Sequence, residues 1–240
     1  VWFGLPPTRF LEILEILVAE LPSPGRLLTG WHRIMTDQSD GQFSNRQALS
    51  AENSEDSREV FALNVLRMGG LRMRGRVVEA SEQAENLRSQ LVTMQPLYDS
   101  RDGWVLHTAV QVGVTAMLAG DFPRALAHFT EARMHVLVPK FTFLTRDALS
   151  KSALIHAGFG DIEVARMLLA RAEHISRTIS WVEEHLDLYP DLVAALTADE
   201  KPESALFVLE GIDLQTLGEA WPFYVVALYR AMKAGGYDDE

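Results

Sequence analysis

The segment "GDFPRALAHFTEA" (residues 120–132) recurs in modified form further along the chain. Residues 160–172 read "GDIEVARMLLARA", and residues 200–212 read "EKPESALFVLEGI". The three copies align, at a spacing of 40 residues, on the alanines Ala125, Ala165 and Ala205. A segment that recurs at a fixed period indicates repeated copies of one supersecondary unit.

Each of the first two copies begins with a turn that separates two helices. Gly120 and Gly160 can adopt the left-handed backbone conformation that ends a helix. Asp121 and Asp161 can then cap the following helix by accepting from its free N–H groups. After the turn, apolar residues recur every three or four positions, as in an amphipathic helix. The pattern therefore predicts helical hairpins, in which the alanine near the start of the second helix permits close approach to the first.

Similar segments extend the array in both directions. Residues 75–87 form an earlier copy, and "GGYDDE" (235–240) resembles the start of a further turn. The apolar segments before the turns are predicted to form the first helices of the pairs, over Glu59–Leu71, Gly103–Ala119, Phe143–Gly158 and Trp181–Ala198. Pro190 lacks a backbone donor, so we expect a kink or break in the last of these. We expect a packing role for the tryptophans that begin first helices, namely Trp104, Trp181 and Trp221.

No stretch alternates between apolar and polar residues as a half-buried strand does. The sequence therefore predicts an all-α fold, an α-α superhelix (solenoid) of stacked antiparallel helix pairs. Residues 58–240 would hold about four repeats and a truncated one. Residues 1–57 are predicted to form a helical hairpin and an acidic linker, packed as a cap or degenerate repeat, or else the tail of a preceding domain. Because the chain begins at Val1 and stops where a turn begins, we expect a longer protein.

Composition restricts the function. The chain of 240 residues has a formal net charge of −11, which disfavours contact with nucleic acid. It contains no cysteine, which excludes disulfides, thiolate metal sites and a cysteine nucleophile and suits the cytoplasm. No signal peptide or membrane-spanning run is visible. "GRLLTGWH" (25–32) has the glycine spacing of a phosphate loop but lacks its Lys and Ser/Thr. No catalytic motif or zinc-type histidine pair is present, so we expect no enzyme activity, cofactor or metal.

One basic cluster stands out, formed by Arg67, Arg72, Arg74 and Arg76. It has two interpretations, a site for an acidic partner or phosphate, or a solvated helix end beside abundant acids.

Stacked hairpins share a continuous core and curl into a concave surface. If first helices line that surface, a ligand or partner groove is predicted at Val65, Arg72, His107, Val110, Val114, Met117, Asp147, Ser150, Leu154, Asp187, Ala194, Val225, Tyr229 and Lys233. Apolar lining with a few polar groups is typical of binding sites. The alternative is that several of these residues, especially Val110 and Val114, are ordinary core. An uncapped repeat end also exposes apolar surface, which favours self-association as a homodimer.

The segment around the turn at Gly120 resembles a tetratricopeptide repeat. The resemblance rests on Gly113, Ala116, the Gly120-Asp121-Phe122 turn, Ala125, Phe129 and Ala132. The tetratricopeptide period is 34 residues, so helices or linkers here would be longer. HEAT-like repeats approach the period of 40 but do not predict the Gly-Asp-aromatic turn.

The longer period and the Ala-, Arg- and Leu-rich second helices resemble the helical-repeat domain of large bacterial LuxR-type regulators, the MalT-like group, over roughly Glu59–Glu240. The resemblance implies a non-catalytic sensor domain that binds a partner or small-molecule effector in its groove. DNA binding would belong to a helix-turn-helix outside this chain. The alternative is a general tetratricopeptide-like interaction scaffold without a link to transcription.

Overall fold

The computed structural model describes residues 57–94, 103–134, 141–178, 183, 186–198, 201–214 and 217–237. Within these ranges the regular structure is entirely helical. The α-helices are α1 Ser57–Met73, α2 Val77–Met94, α3 Trp104–Leu118, α4 Phe122–Met134, α5 Thr142–Phe159, α6 Ile162–Glu173, α7 Leu188–Leu196, α8 Pro202–Glu210 and α9 Trp221–Ala234, with a short 3₁₀ helix at Gly218–Ala220. The predicted N-terminal hairpin and acidic linker lie outside the described residues.

The all-α prediction is confirmed for the described residues. Helices α1, α3 and α5 lie within two residues of the predicted first helices. The break expected at Pro190 is also confirmed, since α7 begins at Leu188 and places the proline in its first turn. Proline is tolerated there because the first N–H groups of a helix have no partner within it.

The chain divides into two compact units, residues 1–131 and 132–240, and the division falls within α4. In the first unit α1 pairs with α2, and α3 contacts both. Its core is formed by Phe61, Val65, Met68, Leu71, Ala80, Ala84, Leu87 and Val112.

In the second unit α5 pairs with α6, and α7 contacts both of them. Helices α8 and α9 form a further pair that also packs on α7. The core of this unit is continuous from Leu149 on α5 to Ala231 on α9. Within each unit, a first helix therefore contacts both its own second helix and the next first helix.

Four first helices end in the same turn, which we call the hairpin turn. Its glycine is Gly75, Gly120, Gly160 or Gly236, with φ of 70°, 79°, 84° and 74°. In each turn the glycine N–H donates to the carbonyl three residues earlier, and the next N–H donates to the carbonyl five residues before itself. This is the Schellman arrangement, which requires the left-handed conformation predicted for Gly120 and Gly160.

The capping prediction is confirmed for one aspartate and wrong for the other. The N–H of Arg124 donates to Asp121 Oδ1 over 3.2 Å, so Asp121 caps α4. Asp161 makes no side-chain cap to α6. Its carboxylate lies instead 3.1 Å from His156 Nδ1, on the other side of the turn. A histidine near the end of α5 thus competes with the backbone for the Asp161 carboxylate.

The repeated alanines are buried, as predicted. Ala80, Ala125 and Ala165 are 0% exposed, and Ala205 is 2% exposed. The close fit also extends to the opposite helix. A Cβ placed on Gly113 of α3 would lie 2.6 Å from the Phe129 ring of α4, closer than real Cβ contacts allow. A small residue on either helix thus allows the two helices of a pair to pack closely against each other.

We expect Gly160→Ala to destabilise the protein by about 1–2 kcal/mol, because alanine resists positive φ. Gly158→Ala is the matched control two residues earlier on the same helix. It has no positive φ, and a Cβ there meets no atom within 4 Å. Replacing a helical glycine should stabilise by about 0.5–1 kcal/mol. Urea unfolding measures the free energy of unfolding of each variant. If both substitutions change it in the same direction, the left-handed conformation of Gly160 in the hairpin turn is contradicted.

We expect Ala165→Leu to cost about 1–3 kcal/mol, because a leucine overpacks the contact between α5 and α6. Ala170→Leu changes an exposed alanine on the same helix and should stay within about 0.5 kcal/mol of the parent protein. Thermal unfolding of the two variants gives the comparison. A neutral Ala165→Leu would show that the helices are not held together at that alanine.

Candidate functional site

Polar side chains stand at equivalent positions of the helices α3 and α5 and at the start of α7. His107, Asp147 and Asp187 are spaced by the repeat period, and each is followed four residues later by Gln111, Lys151 or Asp191. Residues four apart on a helix share a face. We call these six residues the polar row, and its members are described within their own units.

In the first unit, the polar row is tied to α1 by a buried arginine. Arg72 donates to the backbone oxygen of Gln111 over 3.0 Å and to its Oε1 over 2.8 Å. It also donates to Thr115 Oγ1 over 3.1 Å. A buried guanidinium requires such partners because its charge is costly to remove from water. Arg72 therefore holds α1 against α3.

His107 is half-buried on the same helix. Burial, together with the charge of Arg72, lowers the pKa of His107 to about 4. At neutral pH its ring is uncharged, so it can donate and accept hydrogen bonds without adding charge.

The predicted basic cluster is divided among different environments. Arg72 is buried as described above, whereas Arg67 and Arg76 are exposed. Arg76 forms an ion pair with Glu79 at the start of α2. Arg72 thus contacts the polar row through Gln111.

In the second unit, Asp147 and Lys151 form a buried ion pair on α5. The Lys151 Nζ lies 5.1 Å from the ring centroid of the buried Tyr189 on α7. Burial opposes the charge of Lys151, but the Asp147 carboxylate outweighs it, and the pKa of Lys151 is raised. Burial also raises the pKa of Tyr189, which keeps its phenol protonated at neutral pH. We call these three residues the Asp147–Lys151–Tyr189 cluster.

A second buried ion pair lies beside it. The Arg146 guanidinium contacts the Glu183 carboxylate, and Arg146 Nε donates to the Ala172 carbonyl over 3.3 Å. Glu183 accepts from the backbone N–H of Thr178 over 2.8 Å and from its hydroxyl over 3.0 Å. Burial lowers the pKa of Arg146. This pair connects α5 to the carboxyl end of α6, where positive charge is favourable.

The residues predicted to line a groove fall into three groups. Eight are buried, namely Val65, Arg72, Val110, Val114, Met117, Asp147, Ser150 and Leu154. His107 is half-buried, and five are exposed, namely Asp187, Ala194, Val225, Tyr229 and Lys233. A side chain with no exposed area cannot line an open groove, so Val110 and Leu154 are core residues.

Asp187 is exposed but has a partner, since it pairs with Arg177. The sequence did not predict the other members of the buried polar clusters, which are Lys151, Tyr189, Arg146 and Glu183. Lys151 carries a recognisable signal, because it follows Asp147 by four residues on a helix. No sequence pattern identifies Glu183, because its ion pair with Arg146 joins α5 to a segment more than 30 residues away.

The second unit has an open cleft of about 830 Å³ at the hairpin ends, away from the polar row. Its lining includes Asp161 and Glu163 together with Arg166 and Lys201. Charges of both signs give it no preference for an anionic or cationic ligand.

Within the described ranges, no group of three His, Cys, Asp or Glu side chains is arranged to hold a metal ion. None of the described helices combines the length and apolarity that crossing a bilayer requires.

Comparisons with protein-family models, with curated proteins and with solved structures find no match for this chain.

We expect Lys151→Met to destabilise the protein by about 3–5 kcal/mol, because it leaves the buried Asp147 carboxylate without its cation. The double variant Asp147→Leu with Lys151→Met removes both charges and should cost less than either single change. Chemical unfolding of the three variants supplies a double-mutant cycle.

The control for this cycle is Arg166→Met, which removes the exposed ion pair with Glu163. Such pairs contribute about 0–1 kcal/mol. A single Lys151→Met that costs no more than this control would show that the Asp147 carboxylate is solvated.

Proposed function

We propose that this chain is a non-catalytic, cytoplasmic sensor module of a larger transcriptional regulator. In this proposal its hairpins stack as a tetratricopeptide-like solenoid, and an effector or partner binds along the first helices. The resemblance to MalT-like regulators motivates the link to transcription. The net charge of −11 agrees with DNA contact by another part of such a regulator.

Two features support the stacking part of the proposal. The same hairpin turn recurs at Gly75, Gly120, Gly160 and Gly236. Within each unit, successive first helices are in contact, α1 with α3, α5 with α7, and α7 with α9. Neighbour-to-neighbour packing of this kind is what a repeat array uses to build a continuous core.

The Asp147–Lys151–Tyr189 cluster is the observation that carries the binding part. Ion pairs inside a protein add little net stability compared with apolar residues of similar size. Net stability therefore does not account for their presence on α5, and we infer that they serve the recognition of a polar ligand. Lys151 can bind a carboxylate or phosphate, Asp147 an amine, and Tyr189 can donate from its hydroxyl.

The cluster also provides a mechanism for signalling. Lys151 lies on α5 and Tyr189 on α7, so a ligand that takes Lys151 from its present partners changes the contact between two first helices. A ligand that binds one packing arrangement more tightly shifts the population towards it. A polar effector would in this way alter the arrangement of the hairpins and the activity of the regulator.

The second candidate is a general scaffold that binds a peptide and has no link to transcription. The exposed first-helix residues favour it, because Ala194 on α7 and Val225 on α9 offer apolar contact area. Under this candidate the ligand is extended and contacts several first helices, and the Asp147–Lys151–Tyr189 cluster is structural.

The test is a thermal-shift screen of sugars, small metabolites and peptides on the whole chain. A ligand at 100 times its Kd stabilises the protein by about 2.7 kcal/mol, so a clear rise of Tm is expected for a true effector. The shift should disappear in the double variant Asp147→Leu with Lys151→Met and persist in Arg166→Met.

Two results would count against the sensor proposal. If a small molecule still raises the Tm of the double variant, its binding site lies elsewhere in the protein. A screen in which only peptides raise Tm favours the scaffold.

A further inference from the structure

Arg133 is a half-buried arginine in the last turn of α4. Its Nε atom is buried, and among the described residues this atom has no hydrogen-bond acceptor. Buried polar atoms of native proteins almost always have a partner. A buried donor without an acceptor costs stability, and the cost is larger when the donor belongs to a charged group. Arg133 is therefore held in an arrangement that does not stabilise the protein by itself.

A second arginine lies near Arg133. Arg171 is exposed in the last turn of α6. Burial, and next the positive charge of Arg171, lower the pKa of Arg133, and no described carboxylate offsets these two effects. Charges influence each other strongly only at short range, so the two guanidinium groups are close. Both residues belong to the second unit, which begins at Ala132. We call Arg133 and Arg171 the arginine pair.

Several other arginines of the second unit have acidic partners. Arg146 contacts the Glu183 carboxylate. Arg177 contacts the Asp187 carboxylate. Acids are not scarce, because the chain has 33 acidic residues and 22 lysines and arginines. Two arginines that approach each other, where acids are abundant, therefore depart from the pattern of the rest of the unit.

The acids nearest in sequence do not neutralise the arginine pair. Glu131 and Glu173 each lie two residues from one of its members, on the same helix. Residues two apart on a helix do not face each other. The Glu131 carboxylate lies 3.5 Å from His128 Nδ1. Burial lowers the pKa of Arg146, and the charge of Glu173 partly opposes this. Both acids thus interact with other side chains.

The helix dipole accounts for only part of this arrangement. A positive charge in the last turn of a helix interacts favourably with the carbonyl groups that end it. This explains why α4 and α6 each end with an arginine. It does not explain the burial of Arg133, since an exposed arginine would have the same interaction and keep its water. The burial of Arg133 beside a like charge requires a partner of opposite charge.

We propose that the arginine pair binds a phosphate group, which is either free phosphate or a phosphate ester of a small molecule. Guanidinium groups present their donors in a planar fork that matches phosphate oxygens, and such charge-assisted hydrogen bonds are strong. A phosphate ester carries a charge of about −1.5 to −2 at neutral pH, close to what two arginines neutralise. The buried Nε of Arg133 then donates to a phosphate oxygen.

A binding role and a structural role give opposite expectations for Arg133→Met. Methionine keeps the apolar stem in place and removes the charge that repels Arg171. If Arg133 serves binding, the phosphate-free variant should have a higher Tm than the parent protein and should no longer respond to phosphate. Greater stability with lost function is typical of changes at binding residues. If Arg133 is structural, its replacement should lower the Tm.

The test is thermal unfolding and calorimetry of the whole chain with inorganic phosphate and with glycerol 3-phosphate, compared with sodium chloride at the same ionic strength. Phosphate should raise the Tm, and chloride should not. Arg133→Met and Arg171→Met should each weaken phosphate binding at least about tenfold, as expected for the loss of a charge-assisted hydrogen bond. A lower Kd for glycerol 3-phosphate identifies an ester as the ligand, and equal Kd values identify free phosphate.

The matched control is Arg166→Met, because Arg166 is exposed on the same helix as Arg171 and pairs with Glu163. This variant should keep the phosphate response. Three results overturn the proposal: a parent protein that phosphate stabilises no more than chloride does, a lower Tm of phosphate-free Arg133→Met, and a response that both variants of the arginine pair retain.

The arginine pair shares no residue with the Asp147–Lys151–Tyr189 cluster. A variant with both Arg133→Met and Arg171→Met lacks the phosphate site, so the effector screen repeated in that variant tests the sensor proposal alone. The phosphate site and the sensor proposal can therefore fail separately.

Discussion

Each hairpin brings two helices together at a position where only a small side chain fits. Alanine fills that position four times, at Ala80, Ala125, Ala165 and Ala205, and all four are buried. The hairpin turn sets the direction of the chain at three of these pairs, and the alanine sets how closely the helices pack. Within each unit, close packing in turn determines how much of a first helix is buried, because the next first helix packs against it from another side.

Burial on several sides explains why the first helices contain paired polar groups. In α5, almost every residue from Phe143 to Ala157 is buried. A charge on such a helix must find its partner inside the protein. Lys151 finds Asp147 and Tyr189, and Arg146 finds Glu183 and the Ala172 carbonyl. Members of the polar row therefore link neighbouring helices within each unit, Gln111 through Arg72 of α1 and Lys151 through Tyr189 of α7.

The parts of this structure that could be predicted are those that depend on neighbouring residues in the sequence. The turn at Gly160 and the burial of Ala165 follow from local backbone geometry and helical spacing. The groove was harder to predict, because the repeat identifies the face of a helix but not what covers it. Val110 and Leu154 were placed on the correct helices and are core. The partner of Arg146 could not be found, since it depends on a distant segment. Asp161 failed as a cap because His156 competes for it across the turn.

The residue seven positions before the glycine of the hairpin turn shows how the two helices of a pair share the space between them. It is Met68 in α1, Gly113 in α3 and Ala153 in α5, and all three are buried. Burial at this position therefore does not depend on the size of the residue. Gly113 leaves room for the Phe129 ring of the second helix α4. Because protein interiors are closely packed, a small residue on one helix of a pair permits a large residue on the other.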